Sequence, residues 1–142
     1  MLAGELALTA ASLFTGAAIY INVAEQPARL ELEIKPLLAE WKASYKRGLM
    51  MQSTLAIIAT VFGGVAYFDE RSWQWLAGAI LIFANWPFTL LVMLPANKRM
   101  MGTPPESAGD ETRRMIADWG RLHLVRSVFG TASVAMFVWA MR

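Results

Sequence analysis

The chain has 142 residues, 56% of them hydrophobic and only 17% charged, with a net charge of +2 and no cysteine. Soluble domains carry about one-quarter charged residues, so a chain this short and apolar reads as a single membrane domain over residues 1–142. Without a thiol there is no disulfide, iron–sulfur cluster or Cys nucleophile, and basic residues that merely flank apolar runs argue against nucleic acid as a partner.

A membrane crossing needs about 20 apolar residues, and the charge-free runs place four of them. The first covers 6–24, where Thr9, Ser12 and Gly16 mark a face small enough for close helix packing. Glu5, ahead of it, reads as a wet interfacial residue. In the connection that follows, Leu37, Leu38, Trp41 and Tyr45 recur at helical spacing with Glu40, Lys42 and Lys46 on the other side, and Pro36 suits a first turn. This predicts an amphipathic helix lying in the headgroup region, as an anchor or as a lid over a cavity. The second span, 49–68, offers Ala56, Thr60 and Gly64, and ends at a tight turn over 69–71. The third, 72–97, is longer than a bilayer core of about 30 Å requires and must tilt or bend. Pro87 and Pro95 predict a bend near Phe83 to Pro87 and a loosened end from Leu91 to Asn97. A loop over 102–109 leads to Asp110 as a helix cap, and the fourth span, 122–141, presents Gly130 and Ser133. The predicted fold is therefore all-α, an integral membrane four-helix bundle with an interfacial amphipathic helix between spans one and two.

Ten Lys and Arg lie in the two long connections, against Arg71 and Arg142 at the opposite ends of the spans. The positive-inside rule then puts both connections in the cytoplasm and both termini outside, in a bacterial inner membrane. The N-terminus has neither a basic region nor a small-residue cleavage site, so span one is expected to be retained.

Ionisable groups are costly in hydrocarbon, and the richest cluster is on span four, where Trp119, His123, Arg126 and Gly130 share one face. Asn22, Glu25, Gln52 and Asn97 lie at the same depth on the other spans, with Glu25 or a backbone carbonyl the expected partner of Arg126. The bland alternative pairs Arg126 with Glu25 or lets it snorkel, and leaves His123 as an ordinary interfacial residue. A single His cannot build a multi-His metal site, so no metal ligands are assigned; haem on His123 lacks a designated second ligand among nine Met.

Three stretches carry a resemblance: Gly16-Ala-Ala-Ile-Tyr20-Ile-Asn22-Val-Ala-Glu25-Gln-Pro27-Ala-Arg29, then Pro95-Ala-Asn97-Lys-Arg99, then Trp119-Gly-Arg-Leu-His123-Leu-Val-Arg126. In order and in position relative to the spans, the chain resembles the anthrone oxygenase family of small four-helix membrane proteins. The resemblance implies an oxygenase without metal or organic cofactor that turns the methylene of a flat polycyclic anthrone or related phenol into a carbonyl with O₂. The residues permit that chemistry: His123 is the expected base, Arg126 and Asn97 stabilise the developing oxyanion, Trp86 or Trp119 supplies a flat substrate wall, and Asn22, Glu25 and Gln52 complete the polar pocket. The expected partners are membrane lipids, a hydrophobic small molecule and O₂, with a homo-oligomer or partner membrane protein left open. The competing reading is a non-enzymatic accessory or assembly subunit whose six Trp and seven Phe hold a partner protein, lipid or pigment. A substrate-sized cavity ending at His123 separates the two.

Overall fold

The computed structural model describes residues 2–142. Four helices are long and apolar enough to cross a membrane: α1 (Leu2–Leu30), α2 (Ile34–Glu70), α3 (Trp73–Gly102) and α4 (Asp110–Ala140). Each packs on its neighbours in sequence and α4 closes the ring against α1, giving an all-α four-helix membrane bundle with up-and-down connectivity. Leu13, Val61, Ile80 and Val128 stay more than half exposed on its outside, as lipid-facing positions must.

One end of the bundle holds the termini and the turn between α2 and α3, where Arg71 adopts a left-handed conformation (φ 57°) to close α2. Packing there is solid. Ala7, Ala11, Phe14 and Ala18 of α1 are buried against Ala56, Ala59, Trp75 and Phe137. A Cβ on Gly78 would lie 2.4 Å from the Phe137 ring and one on Gly63 2.9 Å from it, so the two glycines admit that ring between helices. Helices in lipid gain little from expelling water, and such close approach supplies the contact energy instead. Ser133 Oγ donates to the Gly78 carbonyl at 2.7 Å across the same seam.

The small-residue stripe expected on α1 is therefore on the wrong face. Thr9, Ser12 and Gly16 are exposed, Thr9 returning its hydroxyl to the Glu5 carbonyl at 2.7 Å, while the alanines one or two positions away do the packing. On α2, Gly63 rather than Gly64 meets a neighbour.

The opposite end, carrying the two long connections, departs further from expectation. The amphipathic segment is helical but is no separate surface helix: it runs unbroken into the second span as the first turns of α2. Leu37, Leu38 and Trp41 are essentially inaccessible because they pack on Met93, Met100, Ile116 and Trp119 rather than on lipid. Lys42 Nζ donates to the Thr103 carbonyl (2.6 Å), and Arg113 donates to the carbonyls of Leu30 (2.7 Å) and Leu32 (2.6 Å), satisfying the open end of α1. Gly109, not Asp110, takes the cap position of α4; Asp110 and Glu111 fall in the first turn, where their charge suits the helix dipole.

Two π turns interrupt the helices at this end, Ile21–Glu25 in α1 and Thr89–Met93 in α3. Each is followed two residues later by a proline, Pro27 or Pro95, which lacks the N–H that an α-turn would use. The bend expected near Phe83 to Pro87 is a break at Ala84, whereas the end of α3 widens into its π turn and continues to Gly102 instead of loosening.

Candidate functional site

The inward face of α4 at the connection end presents Trp119, His123, Arg126 and Ser127, all buried. The π turn of α1 brings Asn22 onto this face. Asn22 Nδ2 donates to the Gly120 carbonyl at 2.9 Å, which fixes the orientation of the amide and turns Oδ1 toward α4. That oxygen accepts from Ser127 Oγ (2.7 Å) and lies 3.0 Å from His123 Nδ1. An amide oxygen can only accept, so Nδ1 carries the hydrogen and Nε2 keeps its lone pair. One turn on, Gln26 donates to the Ile116 carbonyl at 2.7 Å, in a space open only because residue 120 is glycine: a Cβ there would lie 2.7 Å from Gln26 Nε2.

Arg29 closes the connection end. It is 3% exposed, ion-paired with Glu25, 2.8 Å from Glu40 Oε2 through Nε, and hydrogen-bonded to Ser44 Oγ at 2.9 Å, and its guanidinium lies over the Trp119 ring. The expected Glu25–Arg126 pair is thereby replaced by Glu25–Arg29, four residues apart on one helix. No carboxylate or carbonyl bonds Arg126 among the described residues; its neighbours are the Phe14 ring, 5.5 Å from the guanidinium carbon, and the Tyr45 hydroxyl.

Between these groups lies a cavity of about 540 Å³. Tyr20, Tyr45, Gln52, Trp119, His123 and Arg126 line it, with Glu25 and Arg29 at one side. Its aromatic wall is continuous: Trp41 stacks on Tyr45 (4.8 Å), meets Trp119 edge-on (5.7 Å), and Trp119 lies 4.9 Å from the His123 ring. Such a volume and lining suit a flat aromatic molecule of a few fused rings. Among the described residues no three His, Cys, Asp or Glu side chains gather as metal ligands.

A family model for anthrone oxygenases matches residues 41–136. The chain belongs to the anthrone oxygenase family. It is 28% identical over 133 residues to the anthrone oxygenase tpcL of Aspergillus fumigatus, covering 87% of this chain and 83% of that one. It is 27% identical over 145 residues to an anthrone oxygenase of Claviceps purpurea, covering 92% and 83% respectively. No solved structure matches. These relatives point to an oxygenase-type function.

Within this anthrone oxygenase family member, the residues singled out by sequence fall into three places. His123, Arg126, Trp119, Glu25 and Gln52 line the cavity. Asn22 stands behind His123, and Asn97, 1% exposed, is buried away from the cavity surface with its amide unpartnered among the described residues. Trp86 lies farther off, in an adjoining compartment beyond Gln52 and Arg126. Tyr45, Arg29 and Ser127 belong to the site without being singled out for it by the sequence pattern. Tyr45 shares the Trp41 face of the amphipathic segment, and that face turns to the cavity instead of the headgroups. Ser127, one residue past Arg126, was accessible from helical spacing to His123.

Proposed function

We propose that this chain is a membrane-embedded, cofactor-independent oxygenase that converts the activated methylene of an anthrone-like substrate to a carbonyl with O₂. The observation that carries the reading is the Asn22-oriented His123, whose Nε2 is left as a base beside a cavity of polycyclic dimensions. His123 Nε2 takes one methylene proton, and the electron pair of the broken C–H bond spreads onto the ring oxygen as an enolate. The unpaired Arg126 guanidinium stabilises that oxygen in a site where low dielectric strengthens the interaction. The enolate carbon reduces O₂ and bonds to it, and one proton gives a hydroperoxide. Loss of the second C–H proton with cleavage of the O–O bond yields the carbonyl, and the departing hydroxide leaves as water. Each substrate thus consumes one O₂ and releases one H₂O.

The ten-to-two distribution of Lys and Arg supports an orientation with both termini outside and the cavity at the cytoplasmic boundary. A cysteine at exposed Ser107 should react with an impermeant reagent only once that face is opened; labelling in intact cells would reverse the orientation. Oxygen uptake by the purified protein with a panel of anthrones, hydroquinones and phenols tests the reaction. Uptake with one O₂ consumed per anthrone is expected, and its absence across the panel would favour the accessory subunit.

A further inference from the structure

The adjoining compartment, about 220 Å³, shares Leu49, Gln52 and Arg126 with the main cavity. Its polar atoms are left over. Gln52 Nε2, Asn85 Oδ1, Trp86 Nε1, Thr89 Oγ1 and Arg126 Nε all lack a hydrogen-bond partner among the described residues, and Gln52, Asn85 and Arg126 are 1%, 2% and 7% exposed. Native interiors leave few such groups unpaired, and five around one small space call for an occupant.

The chemistry of the occupant follows from the set. Gln52, Trp86 and Arg126 contribute N–H donors, and among the described residues no Asp or Glu lines the compartment, so the charge of Arg126 is uncompensated there. Asn85 Nδ2 is already committed to the Ile82 carbonyl (3.1 Å), so Asn85 adds an acceptor at the rim, outweighed by the N–H donors and the guanidinium charge. The space is below the range of about 300–1,000 Å³ typical of whole-ligand sites, so it takes a substituent rather than a ring system. We propose that this compartment is a subsite for an anionic oxygen group, such as a carboxylate, on one edge of an aromatic ligand whose rings occupy the main cavity. The inference rests on the oxygenase reading only for the flat aromatic character of that ligand.

The test is equilibrium binding of two anthraquinones, which cannot be turned over, to the full chain in phosphatidylcholine nanodiscs by calorimetry. One probe carries a 2-carboxylate and the other a neutral 2-hydroxymethyl group. The wild type should bind the carboxylate at least about tenfold more tightly, the scale of one charge-assisted pair. Gln52→Met with Trp86→Phe should reduce the preference below about threefold, the carboxylate losing more affinity than the neutral quinone. Trp86→Phe alone, which keeps the ring, should lower it part of the way. Equal affinities in the wild type, or a preference that survives the double variant, would overturn the subsite. Oxygen uptake measured in parallel tests the reaction separately: a carboxylate preference without uptake supports the subsite and removes only the oxygenase reading.

Discussion

At the end of the bundle where Gly63 and Gly78 receive the Phe137 ring, buried side chains are mainly alanine and aromatic, the polar atoms of Ser133 and Trp75 are paired with Gly78 and Glu70, and Thr15 Oγ1 beside Gly130 is a single exception among the described residues. At the end carrying the long connections, Gln52, Asn85 and Arg126 are just as inaccessible yet hold atoms around two cavities that have no hydrogen-bond partner among the described residues. Both regions belong to the same four helices. The first is what a bundle needs to hold together in lipid; the second is what it would discard if stability were its only requirement, because unpaired buried polar groups destabilise by about 1–3 kcal/mol each. Separation of the two along the bundle axis lets one be altered without the other.

The largest effect expected from breaking the polar end is on rate. His123→Ala should lower oxygen uptake on an accepted anthrone by about two to four orders of magnitude, the range of general-base catalysis, while helical content is retained. Undiminished uptake by the folded variant would remove the base assignment. At the packed end, Gly78→Leu should do the reverse. Its side chain would displace Phe137, and such overpacking costs about 1–3 kcal/mol, read as a lower thermal midpoint with turnover per folded molecule preserved.

A finer cut concerns positioning. Asn22→Leu leaves His123 Nδ1 and Ser127 without their shared acceptor, so kcat should fall about ten- to a hundredfold, the scale for losing a partner that orients a histidine, with KM held. Asn22→Asp, which keeps an acceptor, should retain more activity than the leucine variant. If both behave alike, or KM rises while kcat stays, Asn22 packs rather than positions.

The smallest effect is the most diagnostic of the contrast. Replacing a paired buried arginine destabilises, whereas removing a buried charge with no partner does not. Arg126→Met should therefore leave the thermal midpoint unchanged or raise it, even as turnover drops. A marked loss of stability would mean that the guanidinium is structural.

Much of the polar end was legible because helical spacing alone puts Trp119, His123 and Arg126 on one face, and because the charge-free runs fix the depth of Asn22, Gln52 and Asn97. What escaped were pairings set by local register. Glu25 is close in depth to Arg126 but one helical turn from Arg29, and the near partner wins. Tyr45 was hidden because nothing in residues 45–49 shows that the amphipathic segment and the second span are one helix. On α1, Thr9, Ser12 and Gly16 resembled a contact stripe, but alanine is as small and fully apolar, and the alanine face won the packing.

The two π turns can be expressed as angles. Successive α-helical residues are about 100° apart, so three steps of four residues overshoot three full turns by about 120°. Yet Phe14, Ala18, Asn22 and Gln26 all turn inward along α1, and Asn85, Thr89, Met93 and Asn97 do so along α3. The extra residue in each wide turn takes up about 100° of that drift. Each helix thereby keeps a straight meridian of inward side chains where an ideal α-helix would have wound its polar residues round to the lipid, and it is along these two meridians that the bundle changes from a packed solid into a lined hollow.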